Sequence, residues 1–362
     1  MVKIGVVGAS GFVGNRAVEM LHEQGMTVCP IVRHTADLER FSQMGLKGYI
    51  ANAFDQAALE KAFSGCEVVI HSVLGSSGLI RGSVAPAYRA AQKAGVRRLI
   101  YLSSMIVHTS APALGTTEST PPIEYQPGFP THIAKIDAER KLLRLRKKGD
   151  VEVVIFRPGI VFGPRSRWIT ELAEQLTQGS AYFINNGSGI CNTVYVDNLI
   201  HGMSLAMFAS NADGEAFFVG DREQVTWLDF YRPFAKALDV DLKQIPQLTA
   251  PEFTHSRKQQ WVNAIRESEF VQKGLTLLSN DLKHRMKSIF PLSRAAAEIL
   301  PIVPAKKQPV VTEMMTILQQ SQYKLPFEKA KKILGYEPIF SFEEGCHFSI
   351  KWLLDQHFQL NK

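Results

Sequence analysis

Val2-Lys3-Ile4-Gly5-Val6-Val7 runs directly into Gly8-Ala9-Ser10-Gly11-Phe12-Val13-Gly14, and the reading of this stretch decides the fold. The first six residues form a short, β-rich apolar run of the kind that suits a buried parallel strand. After the glycines, Asn15 to Gln24 reads as a helix, with Val13, Ala17, Met20 and Leu21 on one face. A strand, a glycine-punctuated turn and a helix, in that order, make a phosphate cradle. The glycines let the backbone turn tightly and approach a pyrophosphate, whose charge then rests on the free N–H groups of the helix N-terminus. The spacing is G-x-x-G-x-x-G, with Gly8, Gly11 and Gly14 as its anchors.

Working outward, Thr27 to Val32 reads as a second strand ending at Arg33, nineteen residues beyond Gly14. The residue at that strand end meets the adenosine ribose of a bound dinucleotide. An acid there selects the 2′-hydroxyl of NAD, and an arginine accommodates the 2′-phosphate of NADP. Arg33 therefore favours NADP, with NAD as the alternative. Gly48 to Asn52 reads as a third strand, Gln56 to Phe63 as a helix capped by Asp55, and Glu67 to Val73 as a fourth strand. A glycine-containing loop over 74–82 then leads to a helix over 86–94 with Pro86 near its start. Arg98 to Leu102 is a fifth strand that delivers Ser103 and Ser104 at its tip. Alternation of strands with helices implies an α/β fold, a Rossmann-type doubly wound parallel sheet. Ligands bind such sheets at the carboxyl ends of the strands, where Gly8, Arg33, His71 and Ser104 emerge.

Residues 105–130 are rich in Pro, Thr, Ser and Gly and read as a loop bordering the site. A helix over 131–148 follows, then a strand over 151–156 that Arg157-Pro158-Gly159-Ile160-Val161-Phe162-Gly163-Pro164 breaks into a structured loop. Farther on come a helix over 169–177, a turn at 186–189, a strand over 193–196 and a helix over 198–208 capped by Asp197. The expected division is a dinucleotide-binding domain over 1–164, rejoined by segments near 190–225, and a mainly substrate-binding lobe over 165–362 with C-terminal helices. Leu278, Leu282, Met286 and Ile289 lie at helical spacing among basic residues, so peripheral contact with a membrane surface is an alternative to simple packing.

The charge balance is 41 Lys+Arg against 34 Asp+Glu, a net +7. This mild excess does not point to nucleic acid. Cys29, Cys66, Cys191 and Cys346 are far apart and form no metal-binding or disulfide framework, which fits a reducing compartment. The early strand leaves no space for a signal peptide, and no apolar run reaches membrane-spanning length, so a cytoplasmic location is expected.

GASGFVG at 8–14, LIYLSS at 99–104, the Lys135…Glu139 helix, RPGIVFGP at 157–164, NGSG at 186–189, VYVDNL at 194–199 and the tail KAKKILGYEP with FEEG occur together and in order. In this the chain resembles the extended short-chain dehydrogenase/reductases, the NAD(P)-dependent epimerases and dehydratases, and most closely their 3β-hydroxysteroid dehydrogenase-like branch. The resemblance implies that Gly8, Ser10, Gly11, Phe12, Val13 and Gly14 hold the pyrophosphate and that Arg33, Asn52 and Ala53 meet the adenosine end. His71, Ser72, Val73 and Ser103 would border the ribose, Pro158 and Val161 the nicotinamide, and Lys135 would bind the nicotinamide ribose. The family's chemistry uses a Tyr-x-x-x-Lys pair with an upstream Ser or Thr. Here Lys135 fixes the register, and the tyrosine position holds Thr131. A threonine hydroxyl relays a hydrogen bond but does not become the anion that base catalysis needs. His132, His108, Tyr125 and Ser104 are the other proton carriers nearby, and His132 is either a replacement acid or a histidine on the helix surface.

Three readings follow. The first is an NADP-preferring oxidoreductase acting on a ketone or secondary alcohol of a small lipid-like or natural-product substrate, with Ser104, Thr131, Lys135 and His132 as its catalytic set. The second is a redox-neutral epimerase or dehydratase on a nucleotide sugar, whose diphosphate Arg165 and Arg167 would face. The third is a cofactor-binding protein with a regulatory or non-redox role. Expected partners are a small-molecule substrate and, in a possible homodimer, a second copy of the chain. No metal site is expected.

Overall fold

The computed structural model describes residues 2–123, 130–253 and 308–359. In its first half, β1 (Lys3–Val7), α1 (Phe12–Glu23), β2 (Thr27–Val32), α2 (Thr35–Gln43), β3 (Tyr49–Ile50), α3 (Gln56–Ala62), β4 (Val68–His71), α4 (Ser77–Lys93) and β5 (Arg98–Leu102) alternate strictly. Then come α5 (Pro130–Arg146), β6 (Glu152–Pro158), β7 (Ile160–Phe162), α6 (Arg167–Gln178), β8 (Phe183–Ile184), β9 (Thr193–Tyr195) and α7 (Val196–Ala206). β10 (Ala216–Val219), α8 (Trp227–Ala237), β11 (Gln247–Leu248), α9 (Glu313–Gln319), α10 (Glu328–Leu334) and α11 (Phe342–Gln359) complete the described elements.

Seven strands form one parallel sheet in the order β10-β6-β5-β4-β1-β2-β3. The chain winds outward in one direction from β1 to β3 and in the other from β4 to β10, which opens a crevice between the carboxyl ends of β1 and β4. Both faces are covered, so the strands are apolar throughout. Ile4, Val6, Ile70, Ile100 and Val154 pack in one core, and Val7, Val69, Leu99, Tyr101, Val153 and Ile155 pack in the other. Each strand contributes alternate residues to each face, as the period of two dictates.

Several elements differ from expectation. α4 begins at Ser77, capped by the Ser76 hydroxyl, and Pro86 lies inside it rather than at its start. Gly75, Gly78 and Gly82 make this lead-in look like a loop, but small residues also allow close packing of a buried helix. Eleven of the seventeen residues of α4 are buried, and the helix forms in spite of the hydrogen bond that proline removes. RPGIVFGP is not a loop. β6 runs to Pro158, and Ile160–Phe162 forms β7, which pairs in parallel with β9. Met105–His108, within the expected loop, is a 3-10 turn capped by Ser104. α7 starts at Val196, so Asp197 lies in its first turn rather than capping it. The Asp197 carboxylate instead takes two hydrogen bonds from Arg16, at 2.8 and 2.9 Å, which bind α7 to α1.

The tail returns to the body. Gln319 accepts from Ile184 N and donates to Tyr182 O. Leu325 N donates to Asn192 Oδ1, and Phe340 N to Asn198 Oδ1. Among the described residues, no helix is long and apolar enough to cross a membrane. The amphipathic stretch at 278–289, Trp261 and Tyr125 lie outside the described residues. Trp227 and Phe183 are buried core residues, and Trp168 packs on Trp227 with ring centres 6.1 Å apart.

Candidate cofactor and active site

The crevice between β1 and β4 is closed at its base by Gly8, whose φ of +83° is left-handed. The Ser72 hydroxyl holds this turn by donating to Val7 O at 2.9 Å. A Cβ on Gly14 would lie 2.2 Å from the Gly8 carbonyl oxygen, so only glycine lets α1 approach the strand this closely. α1 starts at Gly11 with no side-chain cap, which leaves its first-turn amides for an anion. Ser10 and Gly11 are exposed, and Phe12 and Val13 are half-buried beside them. The cradle thus fits a dinucleotide pyrophosphate.

Arg33 stands exposed at the end of β2. Beside it, Asn52 folds into a turn in which its side chain accepts from Phe54 N at 3.1 Å, and Ala53 is half-buried next to it. An amide and an alanine here provide no carboxylate. On the other side of the crevice, His71 is buried, and among the described residues neither ring nitrogen has a partner. Burial, reinforced by the charge of Lys135, pushes it down to about 3, so the ring is neutral. Val73 is half-buried at the same strand tip.

Lys135 is buried on α5, and its Nζ donates to Leu102 O at 2.6 Å at the end of β5. Its ammonium also stands 5.0 Å from the centre of the Tyr101 ring. Burial pulls the amine down to about 8, and Glu139 one turn on partly opposes this. Thr131 lies one helical turn before Lys135 and is half-buried. Ser104 is half-buried at the tip of β5, and its Oγ accepts from Ile106 N at 3.3 Å. Pro158 is buried and Val161 half-buried beyond the tip of β6.

Three expected roles change. Ser103 faces inward, and its hydroxyl is bound to the Glu139 carboxylate. Glu139 also pairs with the buried Arg157 at 2.6 Å, so Ser103 belongs to a buried network and not to the crevice wall. His132 is not a surface histidine. It is fully buried, beside the Val107 backbone and within electrostatic reach of His108 under the Met105–His108 turn. Burial lowers it from the usual imidazole range, and the Val107 backbone partly opposes this. His108 joins the same network through Arg157 Nη1 at 3.0 Å and is pushed down to about 4, mainly by burial. Finally, Arg165 and Arg167, expected to face a diphosphate, both have carboxylate partners. Arg165 pairs with Glu19 at 2.8 Å and bonds Asn15, and Arg167 pairs with Glu171 on its own helix.

Sequence reasoning missed the anchoring clusters. Asn15 and Glu19 on α1 gather Arg40 and Arg165, and Glu118 joins Arg157 through its carbonyl at 2.9 Å. The signal for Glu139 was present, since it follows Lys135 by four residues and so shares its buried face.

A family model described as NAD dependent epimerase/dehydratase family matches residues 4–220. The mouse sterol-4-alpha-carboxylate 3-dehydrogenase, decarboxylating, is 25% identical, with 96% of this chain and 90% of that protein covered. The 2-alkyl-3-oxoalkanoate reductase of Stenotrophomonas maltophilia is 24% identical over 95% of this chain and 97% of its own. Among solved structures, the dTDP-glucose 4,6-dehydratase of Streptomyces venezuelae with NAD bound superposes with a TM-score of 0.68 at 17% identity, covering 98% of this chain and 97% of the other.

Proposed function

The chain belongs to the NAD dependent epimerase/dehydratase family, and from that premise we propose that it is an NADP-preferring oxidoreductase that interconverts a ketone and a secondary alcohol on a lipid-like substrate. The two relatives named above, a sterol-acting dehydrogenase and an oxoalkanoate reductase, support this substrate class. The observation that carries the reading is Lys135. A buried ammonium with three protons has one hydrogen-bond acceptor among the described residues, Leu102 O, so two N–H groups remain for ribose hydroxyls at the crevice.

Bound in this cradle, the reduced nicotinamide would supply the hydride to the carbonyl carbon. Ser104 and Thr131 would hold the substrate oxygen by hydrogen bonds. Thr131 would relay a proton to it, giving up its own as it takes one from a ribose hydroxyl or a water, so that solvent supplies the proton and the threonine never ionises. Lys135 would orient the ribose and maintain a positive charge beside this relay. The nucleotide-sugar alternative finds less support in Arg165, which is held by Glu19 and Asn15.

The test is oxidation of NADPH, followed at its absorbance band, with 2-alkyl-3-oxoalkanoates and 3-oxosteroids. Turnover that falls as pH rises through about 8, where Lys135 loses its charge, supports the reading. Lys135→Ala should raise the KM for NADPH and lower kcat by at least about tenfold. Tight NADPH binding without turnover on either substrate class would favour a regulatory role instead.

A further inference from the structure

We propose that Tyr101 is a positioning residue for Lys135: the face of its ring holds the buried ammonium by a cation–π contact and leaves two N–H groups for the ribose. This role rests on the reading of Lys135 as the group that binds the nicotinamide ribose. Lys135 Nζ lies over the Tyr101 ring, 5.0 Å from its centre, and donates to Leu102 O at 2.6 Å. Both side chains are buried, so the contact lies out of water, where such a pair is strongest. Successive residues of one strand tip thus supply both the acceptor and the ring.

A buried ammonium needs electron density beside it, and the usual source is a carboxylate. A carboxylate at this place would accept one of the N–H groups. The ring face attracts the charge without accepting along a fixed direction, so no donor is withdrawn from the crevice.

The other neighbours of Lys135 leave this task to β5. On α5, Glu139 lies one turn on and is taken up by Ser103 and Arg157. Asp137 pairs with Arg81 of α4 at 2.8 Å. β4 brings His71, a neutral ring whose centre is 5.7 Å from that of Tyr101. β6 brings Arg157, and the 3-10 turn brings His108, which Arg157 holds at 3.0 Å. Burial keeps the Tyr101 phenol well above its usual range, so the ring beneath the ammonium is not ionised.

The test is the affinity for NADPH against pH, followed by cofactor fluorescence. In the native protein the affinity should fall roughly fivefold as pH rises through about 8, because the neutral amine has one N–H fewer to offer. Weakening the ring's hold disfavours the ammonium, so the fall should then begin at lower pH. Tyr101→Phe keeps the ring and should leave the fall where it is. A trifluorinated phenylalanine at the same position keeps the shape but strips electron density from the ring face, and it should move the fall down by roughly one pH unit. Its melting temperature should match that of Tyr101→Phe, which separates the effect from packing. A fall at the same pH in both aromatic variants would overturn the role of the ring while leaving the cofactor reading intact. A fall displaced in Tyr101→Phe itself would assign the effect to the hydroxyl, and a native affinity unchanged through this range would remove the ammonium from binding; either overturns the proposal. No binding of NADPH by the native protein would overturn both the proposal and the cofactor reading.

Discussion

Asp221 shows what one buried carboxylate costs. It follows β10, and its Oδ1 accepts from Tyr195 N and Asn198 Nδ2, each at 2.9 Å, with the Thr193 side chain also close to the carboxylate. Burial, partly opposed by these donors, pushes it up to about 6. The sign follows from linkage. With a folded-state value above the unfolded one, the native protein binds more protons between about pH 4 and pH 6, so stability falls as pH rises through that window. Asp221→Asn keeps both acceptor bonds and removes the charge. It should flatten the pH dependence of Tm over that window and raise stability at neutral pH by on the order of 2 kcal/mol. A variant less stable than the native protein at pH ~7.5 would show that the charge is needed.

At the scale of the element, α5 works because one of its faces is polar and buried. Lys135 and Glu139 both point into the sheet, and Glu139 receives Arg157 from β6 through two hydrogen bonds, at 2.6 and 3.1 Å. Removing one partner strands the other charge, so Arg157→Met should destabilise the protein by about 3–5 kcal/mol. Removing both with Arg157→Met/Glu139→Leu should recover part of that loss in urea unfolding, and a double variant no better than the single would refute the argument. This scale also explains what the sequence revealed. Continuously apolar strands alternating with helices were legible because both cores need them. The start of α4 was not, because Gly75, Gly78 and Gly82 have the same composition in a loop as in a tightly packed helix. The burial of His132 was hidden for a different reason: its lid, Met105–His108, is distant in sequence and reads as irregular.

For the molecule as a whole, the glycine cradle and Arg33 were suggested by strand tips in a parallel sheet, whereas Lys135 entered only through the family resemblance. The contacts that bind distant segments were not. Arg165 reaching back to α1, and the tail hydrogen-bonding to Asn192 and Asn198, depend on how the irregular second half folds over the first. Glu118 is one such contact. Its carbonyl accepts from Arg157, and its side-chain Oε1 accepts from Phe218 N on β10, the outermost strand, at 2.9 Å. Glu118→Ala should leave that N–H unpaired and increase concentration-dependent self-association, measured by light scattering, whereas unchanged scattering would rule this out. A carboxylate thus acts as a gatekeeper at the rim of the sheet, filling the place where a foreign strand would dock and keeping one molecule from templating the next.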